Sequence, residues 1–266
     1  MPAGINIMSV GKVHPRASSP FTCMHPADPV FWLIVASSFL ASTISGAFAI
    51  GGGFLMLAVV AAFFPIAAVV PLHSALMLGT SIGRSIFFRK YIYRPIVIPF
   101  VLGCMIGAPV GARIYVDLPD VVVAIVVGVF MLAALWFPPL TWRPRIKHPF
   151  FLVGIAHSFL STLFSFGGLM QPLMMRTMLD KMQVIATLAV SLLAMNVFKL
   201  AGYAAFGFEF RPYLTLIGVA IVAGIAGARA GMHIVQCIPE EKFRMVFKVI
   251  MTALALQLFY RAWSLT

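Results

Sequence analysis

The stretch VFWLIVASSFLASTISGAFAIGGG, from Val30 to Gly53, decides the fold, because it is a long, largely apolar run that carries no charge and ends in three consecutive glycines. The run reaches the roughly 20 residues that an α-helix needs to cross the hydrocarbon core of a bilayer. Runs of similar character occur at Val121–Phe137 and Tyr213–Ala230. Because backbone amides that face lipid must be satisfied within their own segment, each run is predicted to be a transmembrane helix.

The composition agrees with this prediction. Of the 266 residues, 62% are hydrophobic and 10% are charged, whereas a soluble domain has about 45–50% apolar and about 25% charged residues. The net charge of +12 resides largely in short basic connections such as Arg89–Arg94 and Arg143–Lys147. This positive-inside pattern accounts for the charge without a nucleic-acid partner. We expect a multi-pass protein of a bacterial inner membrane, embedded in the lipid bilayer, with these connections in the cytoplasm.

Short motifs recur in the same order at a nearly constant offset, which predicts an internal duplication. The matched segments are Phe31–Leu33 with Phe150–Leu152, Ser38–Leu40 with Ser158–Leu160, Phe48–Gly53 with Phe164–Leu169, Arg94–Pro95 with Arg211–Pro212, Gly111–Arg113 with Gly227–Arg229, and Leu118–Asp120 with Ile238–Glu240. We therefore predict an all-α, polytopic helical membrane protein of two homologous halves, with about four spanning helices in each half and with glycine-broken helices.

The duplication sets the predicted boundaries. Residues 1–29 form a polar N-terminal tail, 30–137 a first membrane repeat, 138–149 a basic linker and 150–266 a second membrane repeat. The second long helix of each half is predicted over Ser74–Phe88 and Met182–Phe206. Four prolines are predicted to lie at the joints between helices, where a missing N–H is tolerated; they are Pro71, Pro95, Pro119 and Pro212. Parallel and inverted halves both remain open, and a homo-oligomer is compatible with the sequence.

The paired glycine runs, Gly51–Gly53 and Gly167–Gly168, are the first candidate for a binding site. Each glycine costs about 1 kcal/mol relative to alanine inside a helix, and a broken helix at membrane depth is tolerated where it faces protein or a wet cavity. The free N–H groups at the start of the next helix favour an anion, and paired interruptions are typical of transporter sites. The alternative is that the glycines only permit close helix packing.

Two cations within predicted helices are candidates to neutralise such an anion. Lys199 would cost on the order of 2.5–3.5 kcal/mol at membrane depth, so it needs a partner; Asn196, one turn earlier, can share the site. The alternative is snorkelling along the aliphatic stem of the lysine. Arg84 occupies nearly the same place in the first half, one turn after Thr80, but snorkelling towards Arg89 is the favoured interpretation there.

Further polar residues complete the predicted site. Gln171 follows the second glycine run and its amide can donate to an oxyanion. His73 and His157 are weaker candidates for a proton relay, because a histidine near a helix end is more often only hydrogen-bonded. The carboxylates lie in termini or loops, which favours anion over cation transport. The cysteines are isolated, so neither a disulfide nor a metal site is predicted.

Two kinds of motif recur in fixed order: a glycine run with apolar residues after it, at Ile50–Leu55 and in shortened form at Phe166–Leu173, and later the triplets Gly111–Arg113 and Gly227–Arg229. In this order the motifs resemble the TauE/SafE family of sulfite and organosulfonate exporters. The Thr-Ser pair that is usual early in the second helix of that family is reduced here to His73-Ser74 and to Ser191, so the resemblance implies Ser74 and Ser191 as substrate-binding candidates. The resemblance implies a permease-like transporter of small sulfur-containing or carboxylate anions without an ATP-binding motif, and with coupling to the proton gradient as the default expectation.

The leading hypothesis is secondary transport of a small anion, most readily sulfite, an organosulfonate or a related sulfur oxyanion or carboxylate, by alternating access of the two halves. No cofactor and no enzymatic activity are expected. One alternative is a membrane scaffold or assembly factor that transports nothing. Another is an intramembrane enzyme, which would need a catalytic constellation that the sparse histidines, cysteines and acids do not supply.

Overall fold

The computed structural model describes residues 26–48, 52–119, 121–123, 125–127, 129, 149–165, 170–174 and 177–234, and within these ranges the regular structure is helical. The all-α prediction is therefore confirmed. The helices are α1 (Pro29–Phe48), α2 (Gly52–Phe63), α3 (Ile66–Phe87), α4 (Arg94–Asp117), α5 (Pro149–Phe164), α6 (Met170–Met174), α7 (Lys181–Ala205) and α8 (Leu214–Ile234), with short 3-10 turns at Arg89–Tyr91 and Arg211–Tyr213.

Five helices in the described ranges are long and apolar enough to cross a membrane. They cover Pro29–Gly46, Ile66–Phe87, Arg94–Asp117, Met182–Ala205 and Arg211–His233. Helices α2 and α5 are apolar but shorter. The multi-pass membrane prediction is confirmed. Four helices in each half stays a prediction, because residues 130–148 and 235–266 lie outside the described ranges.

Pro71 is not at a joint, contrary to the prediction, and the second helix of the first half begins before Ser74. The joint is at Pro65, and α3 continues through Pro71. A proline inside a helix leaves the carbonyl four residues earlier without its donor. That carbonyl, of Ala67, accepts a hydrogen bond of 3.3 Å from the hydroxyl of Tyr115 in α4, which lies equally 3.3 Å from the carbonyl of Ile66. A neighbouring helix thus satisfies the freed group, which is how membrane helices tolerate proline.

Helices α3 and α7, which the predicted repeat matches, run in opposite directions. Phe88, at the end of α3, packs with Ile185 near the start of α7 and with Met232 near the end of α8. At the same place the backbone N–H of Tyr93 donates a 3.0 Å hydrogen bond to the hydroxyl of Thr187. Helices α3 and α8 therefore end, and α4 and α7 begin, at one face of the molecule. We call it the Arg89 face, after the turn between α3 and α4.

Helices α1 and α8 run parallel and pack through glycines. A Cβ at Gly227 would overlap the carbonyl oxygen of Phe39, and a Cβ at Gly231 would overlap that of Thr43. The residue numbers of the contacts increase together along both helices, so α1 also ends at the Arg89 face. Small residues at such positions let two helix backbones approach closely in a membrane.

Helices α4 and α5 form the corresponding parallel pair in the other direction. Gly103 lies against the carbonyl of Phe151, and Gly107 lies against that of Ile155, so α5 begins at the Arg89 face as α4 does. The helices that the predicted repeat matches, α1 with α5, α3 with α7 and α4 with α8, thus run in opposite directions. This is the arrangement of an inverted repeat; the duplication itself stays a prediction.

Candidate functional site

Lys199 lies inside the protein, on α7, with 1% of its surface exposed. Its Nζ donates hydrogen bonds to the backbone carbonyl of Ser161 at 2.9 Å and to the Ser161 hydroxyl at 3.1 Å. Ser161 belongs to the last turn of α5, where the carbonyls carry the negative end of the helix dipole. The lysine therefore binds the C-terminal end of α5 and does not snorkel to the surface.

Helix α5 ends at a real break. Ser165 follows its last residue with a φ of +57°, a left-handed conformation that terminates helices and that a residue other than glycine seldom adopts. Its N–H still donates to the carbonyl of Ser161 at 2.9 Å, and the next helix, α6, begins at Met170. The predicted interruption of the second half is therefore present, although Gly167 and Gly168 lie outside the described residues.

Three neighbouring helices converge on Lys199 of α7. His73 of α3, Cys104 of α4 and His157 of α5 all lie close enough to interact with it electrostatically. The Nε2 atom of His73 forms a hydrogen bond of 2.9 Å with the backbone carbonyl of Gly53, at the start of α2. The site thus combines α2, α3 and α4 from the first half with α5 and α7 from the second.

No carboxylate balances the charge of Lys199 among the residues that the structure describes. The acids there, Asp28, Asp117, Asp180 and Glu209, lie at helix ends or in connections, and the ion pair found is the exposed one between Arg113 and Asp117 at 2.8 Å. A buried ammonium is costly without a counter-charge. An ammonium has three N–H donors, and Ser161 accepts from two of them. The third has no acceptor among the described residues, which leaves it open to an anion.

Arg84 occupies the corresponding place in the first half. It is 2% exposed, and its guanidinium donates a 3.5 Å hydrogen bond to the carbonyl of Ser45, which lies in the last turn of α1. The snorkelling interpretation of Arg84 is wrong, because the side chain turns into the protein and not towards Arg89. Thr80, one turn earlier, forms a hydrogen bond with the hydroxyl of Ser42.

The two described glycines of the first run have different roles. A Cβ at Gly52 would overlap the carbonyl oxygen of Ala41 and the hydroxyl of Ser45, so close packing requires glycine there. Among the described residues, a Cβ at Gly53 would meet the ends of Met77 and His73, at 3.8 and 3.9 Å, which is ordinary van der Waals contact. The packing alternative therefore explains Gly52 but not Gly53; Gly51 lies outside the described residues.

The remaining predicted residues are distributed over the helices. Asn196 is buried one turn before Lys199, and the buried hydroxyl of Ser191 has no hydrogen-bond partner among the described atoms. Ser74 donates to the carbonyl of Val70 in its own helix at 2.8 Å, so its hydroxyl is already used. Gln171 belongs to α6, and its side chain is outside the described part.

Sequence reasoning missed Ser45, Ser161 and Cys104. The two serines precede their glycine runs by the same number of residues, so the repeat could have identified them. Cys104 gave no signal, because only the packing of α4 against α5 brings it near Lys199; its thiol lies 3.7 Å from the carbonyl of Gly154.

A family model described as sulfite exporter TauE/SafE matches residues 34–258. Searches of curated proteins and of solved structures find no match. The matched region runs from the first turns of α1 past the end of α8, so it contains both cation sites and every helix that packs around them. The chain therefore belongs to the TauE/SafE sulfite exporter family of membrane transporters.

Proposed function

We propose that the protein carries a small sulfur oxyanion, sulfite or an organosulfonate, or a related carboxylate, across a bacterial inner membrane without ATP. The observation that carries the proposal is the Lys199 ammonium, buried at the end of an interrupted helix with no carboxylate beside it among the described residues. Membership of a sulfite exporter family supports the class of substrate.

In the proposed mechanism the anion accepts the free N–H of Lys199 and supplies the missing counter-charge. Asn196 lies one turn away on the same helix and serves as a further polar group for the anion. Because the site is built from both halves, a rocking movement of one half against the other opens it alternately to each side of the membrane. Oppositely directed helices around a central site are the usual basis of such movement.

The proton-relay proposal for His73 and His157 is retained as the weaker part of the mechanism. A His73 Nε2–H that donates to the carbonyl of Gly53 leaves Nδ1 as the acceptor nitrogen, and this Nδ1 is buried without a partner in the described part. Nδ1 is the atom at which His73 would receive a proton.

The test is uptake of radiolabelled sulfite into proteoliposomes by the wild type and by Lys199→Met. Loss of a charged hydrogen bond is worth about 1.5–3 kcal/mol, so we expect the variant to transport at least about tenfold more slowly. It should also lose the thermal stabilisation that sulfite gives the wild type in detergent. Lys90→Met, at an exposed lysine of the Arg89–Tyr91 turn, is the matched control and should transport normally.

Unchanged flux and unchanged sulfite affinity in Lys199→Met would remove Lys199 from the site. Absence of both flux and stabilisation in the wild type, for sulfite, sulfonates, sulfate and short carboxylates alike, would instead favour the scaffold alternative.

A further inference from the structure

The first half contains a second buried cation that the transport mechanism around Lys199 does not use. Arg84 is 98% enclosed (2% exposed), and its only hydrogen bond in the described part is the long one to Ser45, at 3.5 Å. Its Nε has no partner among the described atoms. A guanidinium carries five N–H donors, and among the described residues Ser45 is the acceptor found for them.

The surroundings of Arg84 supply further groups that favour an anion. Helix α2 begins at Gly52, which packs against the hydroxyl of Ser45, so Arg84 and the start of α2 meet the same residue. The N–H groups in the first turn of a helix have no acceptor within the helix, and they carry the positive end of its dipole. A buried guanidinium and a helix N-terminus are therefore both in contact with Ser45.

This place is distinct from the Lys199 site. Arg84 contacts Ser45 in the last turn of α1, whereas Lys199 contacts Ser161 in the last turn of α5. Arg84 lies in the last turn of α3, which ends at the Arg89 face, whereas Lys199 lies towards the end of α7, which runs away from that face. The two cations are therefore displaced towards opposite faces of the molecule.

We propose that Arg84 and the first turn of α2 form a second oxyanion site, so that the protein binds two anions, one towards each face. The proposal rests on the proposed function for the class of its ligand. A guanidinium presents two parallel N–H groups that fit two oxygens on one atom, so this site takes a sulfite, sulfonate or carboxylate group and discriminates against a monatomic anion.

The experiment measures how many sulfite ions the purified full-length protein binds in detergent, by equilibrium dialysis with radiolabelled sulfite under nitrogen. We expect two per chain for the wild type, one for Arg84→Met and one for Lys199→Met. Arg84→Lys keeps the charge but loses the two parallel N–H groups of the guanidinium. Its second site should therefore persist with about tenfold weaker affinity for sulfite. Arg113→Met is the matched control, because Arg113 is 59% exposed, and it should still bind two.

One sulfite per wild-type chain, lost in Lys199→Met and kept in Arg84→Met, would overturn the second site and leave the proposed function intact. Two sulfites retained by Arg84→Met would overturn it as well. If Arg84→Met does not fold, Arg84→Lys provides the test. An unchanged affinity for the second sulfite in Arg84→Lys would contradict binding by the guanidinium of Arg84. No sulfite bound by the wild type, together with no flux in proteoliposomes, would defeat the proposed function as well as the second site.

Discussion

Single hydrogen bonds decide where this chain tolerates residues that break local rules. Pro71 removes the donor for the carbonyl of Ala67, and Tyr115 replaces it from another helix. Lys199 and Arg84 are buried cations, and each donates a hydrogen bond to a carbonyl oxygen in the last turn of another helix of the same half. In each case a backbone carbonyl of one helix accepts a hydrogen bond from a side chain of another helix.

The pairing of Pro71 with Tyr115 gives a prediction at this scale. Tyr115→Phe should lower the free energy of unfolding by about 1 kcal/mol, because it removes the donor to a buried carbonyl. Pro71→Ala restores the missing N–H of α3, so in that background the same substitution should cost clearly less. Reversible unfolding in mixed detergent micelles, run as a double-mutant cycle, measures the difference. Equal costs in both backgrounds would show that the hydroxyl does not serve the carbonyl freed by Pro71.

At the scale of elements, the breaks between α1 and α2 and between α5 and α6 are the features that give the protein its site. Each break places the negative end of one helix beside a cation on the second long helix of the same half. Glycine allows the next helix to start against the preceding one, as Gly52 does against α1. The glycine run therefore serves packing at Gly52, and at Gly53 its carbonyl forms a hydrogen bond with His73.

Adjacent glycines should consequently differ in their tolerance of a methyl group. Gly52→Ala should strongly reduce the yield of folded protein and its melting temperature, because the methyl would overlap the carbonyl of Ala41. Gly53→Ala meets only ordinary contacts, so its stability should stay within about 0.5 kcal/mol of the wild type. Size-exclusion profiles and thermal unfolding in detergent compare the two. Similar behaviour of both variants would contradict the assigned packing.

At the scale of the whole molecule, the opposite directions of matched helices determine the topology. Helices α1, α3 and α8 end at the Arg89 face, where α4, α5 and α7 begin. The turn at Arg89–Tyr91 and the start of α5, which follows the basic linker, therefore share one face. The end of α4 at Asp117 lies at the other, in agreement with the distribution of basic residues expected for a cytoplasmic side.

The topology predicts opposite labelling of two turns. In a background without native cysteines, Lys90→Cys should react with a membrane-impermeant maleimide only from the cytoplasmic side, and Glu209→Cys only from the outside. Labelling of intact spheroplasts and of inverted vesicles makes the comparison, and each variant is the control for the other. Reaction of both cysteines from the same side would contradict the inverted arrangement.

The sequence by itself determined the membrane class, the all-helical fold, the starts of α4 and α7, and the family. Hydropathy, the distribution of basic residues and the order of motifs are properties of the chain alone. Its prediction for α7 was accurate because Asp180 and Gln183 form a capping box there. The sequence-based prediction placed a joint at Pro71 wrongly, because the hydrogen bond that lets the helix continue through this proline comes from Tyr115, far along the chain.

Only the tertiary structure decided which charges are enclosed and which elements surround them. The burial of Arg84, the convergence of His73, Cys104 and His157 on Lys199, and the opposite directions of α3 and α7 all depend on contacts between segments distant in sequence. Every stretch of a membrane helix is apolar on most sides. Local pattern therefore cannot distinguish the face that meets lipid from the face that meets another helix, and packing makes that choice.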